Sequence, residues 1–265
     1  MIRSVGLLGC GRMGRPIGEH LLAAGTPLTA YDPVPEARRA LVELGAFEAH
    51  GPAEVAARSD LVLVVVVDDA QAREAVGSCL EAAGPGTVVA ICASVRPDTC
   101  RDLATSARGR GVHVIDAAMV GGERGAEEGR LVLFCGGPPE VVDGIRPAVA
   151  PFTRDILRVG DVGAGQVVKT ANNVLLWACI RADLEALRLG RALGVEPAVL
   201  REALALGSGA NLPLAEWGEH RLRWPAKDLE VALAVAKEAD VEMPLVEQLP
   251  PLMEELTVDD LRELL

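Results

Sequence analysis

The chain carries no dense run of lysine or arginine, and its formal net charge is −12 with a pI near 4.9. Such a surface repels a phosphate backbone at long range, so nucleic acid is excluded as a partner. Six cysteines (Cys10, Cys79, Cys92, Cys100, Cys135, Cys179) form no C-x-x-C pair, and several lie in apolar runs, where a free cysteine behaves as a small hydrophobe. They are expected to be reduced thiols of a cytoplasmic protein. The four histidines (His20, His50, His113, His220) show no metal-ligand spacing and no neighbouring serine or cysteine, which leaves a metal centre and a nucleophilic triad without support. Long apolar runs are missing as well. The longest, Leu61 to Val67, falls far short of the about 20 residues that a membrane helix needs and reads as a buried parallel strand. The opening residues 1–8 are too short an apolar stretch for a signal peptide and no cleavage pattern follows, so neither export nor a membrane partner is expected.

What is present is an ordinary globular composition. At 265 residues, with 50% hydrophobic and 24% charged residues, the chain can bury one large α/β core or two smaller ones. Short β-branched runs at 4–8, 27–31, 61–67, 87–91, 113–115, 131–135 and 156–159 alternate with helical stretches. That alternation implies crossover units and a mostly parallel, doubly wound sheet of the Rossmann type. Gly25 and Gly45 fall where the first two helices should end, as C-caps do. After about residue 160 no convincing strand follows. The stretch from Gln166 to Leu193 holds no proline and only Gly190, which predicts an unusually long helix. Pro197, Pro213, Pro225, Pro244 and Pro250-Pro251 divide the remainder into short helices. The expected organisation is a Rossmann-type domain over 1–160 and an all-helical domain over 161–265.

Gly9-Cys10-Gly11-Arg12-Met13-Gly14 follows the first predicted strand and opens a predicted helix. In that setting Gly9 permits the tight turn, Gly11 lets backbone approach a pyrophosphate, and Gly14 lets helix and strand pack closely, with free N–H groups of the helix start for the anion. The same glycines could serve plain packing. Asp32 ends the second strand run eighteen positions after Gly14, where a ribose-binding acid is expected. It could equally cap the Asp-Pro turn. A carboxylate there disfavours the extra phosphate of NADP, so NAD is the preferred cofactor, with Arg38 and Arg39 keeping NADP open.

Lys169 and Asn173 stand four apart at the start of the long helix, so they share one face, and an amide can orient a proton-donating lysine there. A lysine snorkelling from an amphipathic helix would give the same pattern. Trp177 continues the row in a chain with 3% aromatics, as pocket wall or as core between helices.

Four motifs in order, Gly6-Leu7-Leu8-Gly9-Cys10-Gly11-Arg12-Met13-Gly14-Arg15-Pro16, Asp116-Ala117-Ala118-Met119-Val120-Gly121-Gly122, Gly163 to Asn173, and Lys227-Asp228-Leu229, resemble the β-hydroxyacid dehydrogenase family across nearly the whole chain. That family includes 3-hydroxyisobutyrate dehydrogenase and, more distantly, 6-phosphogluconate dehydrogenase and the imine reductases. The resemblance implies NAD- or NADP-linked exchange between a hydroxyl and a carbonyl, with a small-molecule substrate between two domains. It places Lys169 as catalytic acid–base, Asn173 as its orienting residue, Lys227 reaching toward substrate and cofactor, and Val67 and Ser94 as further cofactor contacts. It also implies a homodimer or homotetramer through the helical domain. The pattern breaks at Val120, where the family serine, with the backbone of Gly121 and Gly122, holds a substrate carboxylate. Losing that bond to a charged group costs roughly 1.5 to 3 kcal/mol, so a standard short 3-hydroxy acid is not the expected substrate. Arg96 and Arg124 are added charges that could recover an anion or simply be solvated. An imine reductase and a cofactor-binding protein without turnover remain as alternatives.

Overall fold

The structure is a computed structural model describing residues 2–265. It divides into two compact units, one ending at Lys169 and one spanning Thr170–Leu265. The first unit holds eight strands: β1 (Val5–Leu8), β2 (Leu28–Tyr31), β3 (Phe47–Glu48), β4 (Leu61–Val64), β5 (Val88–Ile91), β6 (His113–Val120), β7 (Leu131–Gly136) and β8 (Thr153–Gly160). Its helices are α1 (Gly14–Ala23), α2 (Pro35–Glu43), α3 (Pro52–Ala57), α4 (Asp69–Ala82), α5 (Pro97–Ser106), α6 (Gly122–Glu127) and α7 (Pro139–Val149). The strands form one sheet in the order β3-β2-β1-β4-β5-β6-β7-β8, parallel throughout except where β6 meets β7.

β1, β4 and β5 are buried at every position, which is why they read as unbroken apolar runs rather than alternating ones. Ile17 and Leu21 of α1 and Val142 and Ile145 of α7 share one core with the sheet. Val55 of α3, Val76 and Cys79 of α4 and Cys100 and Leu103 of α5 share the other. Helices therefore cover both faces of a doubly wound sheet. The chain runs outward from β1 in both directions, and such a switch point opens a crevice beyond the carboxyl ends of the strands.

The strand ends are level. Leu8 pairs with Tyr31 and Val64, Val64 with Ile91, and Ile91 with Asp116. Only β6 continues, through Ala117, Ala118, Met119 and Val120, because β7 runs antiparallel beside it and pairs Asp116 with Gly136 and Val120 with Val132. The stretch expected to follow this strand is thus its second half. Two other boundaries differ from the sequence pattern. β4 stops at Val64, so Val65 to Val67 belong to the loop beyond it, and β3 was not anticipated because two exposed residues carry no periodicity. Gly25 and Gly45 do adopt left-handed backbone just past α1 and α2.

The second unit is helical. α8 (Ala164–Ala192) begins in the first unit and continues into it, followed by α9 (Pro197–Leu204), α10 (Leu212–Ala215), α11 (Pro225–Glu238), α12 (Pro244–Glu247), α13 (Leu249–Glu254) and α14 (Val258–Arg262). Proline opens α9, α11 and α12, where its missing N–H has no intrahelical partner to lose. Trp177, Ile180, Leu184 and Leu187 of α8 pack with Leu214, Trp217, Leu229, Val246, Met253 and Leu261. Among the described residues no helix is long and apolar enough to cross a membrane.

Candidate active site

The glycine loop lies between β1 and α1 at the switch point. Gly9 has a φ of +94°, and a Cβ there would collide with the Val65 carbonyl. A Cβ on Gly14 would collide with the Gly9 carbonyl, so α1 sits against the loop only because both residues lack one. Gly11 is the opposite case: no atom lies within 4 Å of the place its Cβ would occupy. The backbone presents an open side there, as the approach of a large anion requires. α1 begins at Gly14, and its N-cap Met13 supplies no side-chain acceptor to the N–H groups of the first turn.

Asp32 stands at the end of β2 and performs two local tasks. Its Oδ2 accepts the Cys10 N–H at 2.8 Å, and its Oδ1 accepts the Val34 N–H at 2.9 Å. The turn-capping role considered from sequence is real, and the same carboxylate fixes the glycine loop. Arg38 donates to the Asp32 carbonyl at 2.5 Å and pairs with Glu48 at 2.7 Å, while Arg39 is exposed and 3.9 Å from Glu36. Cys10 is buried, and that burial, with Asp32 beside it, pushes its thiol up to about 12. It contributes backbone to the loop, not a thiolate. Arg12 is exposed and its guanidinium is 3.6 Å from Glu123.

Further along the same edge, Val67 is exposed and donates its N–H to Gln71, and half-buried Ser94 lies in the loop after β5. Gly121 and Gly122 follow β6 with φ of +116° and +60°, a pair of left-handed positions that favours glycine twice over. Arg124 is tied to Glu128 at 2.9 Å. Val120 is half-buried at the tip of β6 and shares a sheet face with Ala118 and Asp116, whereas Ala117 and Met119 face the opposite core.

α8 starts on the Asp116 face. Asp116 is fully buried, and its two carboxylate oxygens accept the Gly163 N–H at 2.6 Å and the Gln166 N–H at 3.0 Å. Burial pushes its carboxyl up to about 6, against the opposing pull of these backbone donors. Gln166, also buried, accepts the Val95 N–H at 3.2 Å and donates to the Ala93 carbonyl at 2.8 Å, the two residues flanking Ser94. Lys169 is half-buried, three residues on. Asn173 is buried one turn later and accepts from Asn172 at 3.4 Å. Trp177 lies in the helical core, its indole N–H donating to Asp228 at 3.1 Å, and Lys227 sits half-buried in the first turn of α11. Sequence reading missed Asp116 and Gln166 as working residues. Their signal was polarity in an apolar setting, Asp116 between Ile115 and two alanines, and Gln166 beside two valines. Among the described residues no group of His, Cys, Asp or Glu could hold a metal ion.

The description of the NAD binding domain of 6-phosphogluconate dehydrogenase matches residues 4–160, and that of the NAD-binding region of NADP-dependent 3-hydroxyisobutyrate dehydrogenase matches residues 163–263. The chain belongs to the β-hydroxyacid dehydrogenase family. It is similar to a 3-hydroxyisobutyrate dehydrogenase of Pseudomonas aeruginosa, 32% identical over 91% of this chain and 88% of that one. A 2-(hydroxymethyl)glutarate dehydrogenase of Eubacterium barkeri is 31% identical over 91% of this chain and 85% of its own length. The solved structure of a Mycobacterium tuberculosis 3-hydroxyisobutyrate dehydrogenase with L-serine shares the fold, with a TM-score of 0.86 at 24% identity over 96% of this chain and 94% of that one. As a β-hydroxyacid dehydrogenase the protein is an NAD(P)-dependent enzyme that acts on CH–OH groups of a small molecule.

Proposed function

We propose that the enzyme interconverts a hydroxyl and a carbonyl with Lys169 as the general acid–base and Asn173 as the amide that orients it. One observation carries the reading: the turn before Lys169 is bonded to Asp116 of β6 and to the loop after β5, on the same edge of the sheet where the glycine loop opens. Bound nicotinamide cofactor supplies hydride transfer. Lys169 Nζ takes the hydroxyl proton in oxidation and returns it in reduction, and Asn173 limits the rotamers from which it does so. The open side of Gly11, the uncapped start of α1 and the residues Gly9, Cys10, Arg12, Met13 and Gly14 suit the pyrophosphate, with Val67 and Ser94 further along the edge for the nicotinamide half. Lys227 serves substrate and cofactor by family resemblance alone. Trp177, seated in the core, is the least suited of the candidate substrate contacts.

Asp32 supports NAD over NADP. Its carboxylate is fixed at the end of β2 by two backbone donors, and the neighbouring Arg38 is already engaged by Glu48, so a 2′-phosphate there would meet negative charge, with only the exposed Arg39 nearby in sequence to offset it. Val120 supports a substrate whose group near β6 is apolar rather than a carboxylate, with Gly121 and Gly122 left to offer backbone donors. The unit of activity is a homodimer or homotetramer: Val167, Leu175 and Leu189 are exposed along one side of α8 and Leu193 just past its end, with Ala171, Ala182 and Ala186 between them. A stripe of that length is the kind a second copy covers. An imine reductase is the second reading, favoured by Ala118-Met119-Val120.

Lys169→Ala is expected to keep NADH binding and to lower kcat by roughly 10²- to 10⁴-fold; activity near wild type would remove Lys169 from the mechanism. Fluorescence titration should give NADH at least a tenfold lower Kd than NADPH, and equal affinities would overturn the cofactor assignment. Val120→Ser is expected to raise kcat/KM for 3-hydroxyisobutyrate by about 10- to 100-fold, the value of one bond to a charged group. No gain would mean that Val120 does not face the substrate. Sedimentation should find a species of at least two chains, which Leu175→Glu weakens; a monomer at micromolar concentration would refute the α8 contact.

A further inference from the structure

The buried polar groups around the start of α8 are not explained by the chemistry assigned to Lys169. Asp116 reaches from β6 to the Gly163 and Gln166 N–H groups, with the Gly165 N–H adding to them. Three glycines make room for it. A Cβ on Gly136 would collide with Asp116 Oδ1, one on Gly165 would come within 2.6 Å of Oδ2, and Gly163 bends the chain at a φ of +96°. A carboxylate at a helix start is favoured by the aligned peptide dipoles, but full burial opposes its charge. Stability alone is served as well by a neutral cap at lower desolvation cost. Gln166 then turns from the same helical turn to the loop after β5, where it saturates the backbone on both sides of Ser94. One continuous set of buried hydrogen bonds thus joins Asp116 of β6, the first turn of α8 and the Ser94 loop.

We propose that Asp116 and Gln166 are positioning residues, Asp116 fixing the turn of α8 that carries Lys169 and Gln166 locking that turn to the Ser94 loop on the cofactor side. The proposal rests on the reading of Lys169 and Ser94 given above. Its physical content is that the proton-transfer group and the cofactor loop are held in one register by bonds that no solvent can replace. A shift of about 1 Å in such a register can cost of order 10²-fold in rate. Removing either side chain therefore disturbs both functions while the hydrophobic cores stay intact.

The test uses the full-length enzyme and two near-isosteric variants. Asp116→Asn keeps one acceptor for Gly163 or Gln166 and presents an amide N–H to the other donor, and Gln166→Leu removes both tethers to the Ser94 loop. Hydrogen exchange should show faster exchange in residues 161–170 for both variants and in residues 92–96 for Gln166→Leu, with the thermal midpoint within a few degrees of wild type. In the Val120→Ser background, with 3-hydroxyisobutyrate as the probe, kcat should fall at least tenfold in both. The NADH Kd should rise at least fivefold in Gln166→Leu and less in Asp116→Asn. Unchanged exchange in residues 161–170, or an unchanged NADH Kd in Gln166→Leu, would overturn the proposal, as would losses that track a fall in thermal midpoint. Lys169→Ala separates the two readings: if it retains turnover the catalytic assignment fails, while the exchange and binding results still decide the positioning role.

Discussion

A charge buried in a protein interior has to be met from every side, and Asp116 is met by the backbone of a helix. That single requirement orders much of the first unit. It adds to the need for glycine at 136 and 165, where a side chain would meet the carboxylate oxygens as well as the Asp161 and Phe134 carbonyls. It brings the start of α8 against β6 at one fixed height, the level at which the neighbouring parallel strands end and the crevice begins. The spacing of glycines before Lys169 is in this light a consequence of steric clearance as much as of helix initiation.

The glycine loop shows the same economy at the other nucleotide-side element. Gly9 and Gly14 are each excluded from carrying a side chain by a carbonyl oxygen, whereas Gly11 is bounded by nothing. The first two shape the turn and the third leaves it accessible. Asp32 joins them by accepting the Cys10 N–H, so the acid to which we assign the cofactor preference also stiffens the loop beside it. A substitution at Asp32 therefore cannot be read as a change of specificity alone, because the loop loses a bond together with the charge.

Much of this was legible in the sequence. The buried parallel strands stood out because continuous apolar runs such as Leu61-Val62-Leu63-Val64 need no alternation to be recognised. The long helix showed itself by the absence of breakers between Gln166 and Leu193, and the short ones by their opening prolines. What could not be read was long-range. The second half of β6 is a strand because β7 lies antiparallel to it, a pairing that neither segment encodes alone. Asp116 and Gln166 act on residues 47 and 71 positions away in the chain, a separation at which no local pattern exists. Trp177 could have lined a pocket or filled a core, and only its neighbours Leu184, Trp217 and Leu229 distinguish the two.

The four residues by which β6 outruns its parallel neighbours give the crevice a wall of paired strand instead of a loop. Strand geometry assigns Ala118 and Val120 to one side and Ala117 and Met119 to the other. The wall can thus exchange its chemistry one alternate residue at a time, with the opposite side left in contact with its helices and the backbone path unchanged. For a lineage acting on many different small molecules, such a wall is a surface on which selectivity can drift while the scaffold stands still.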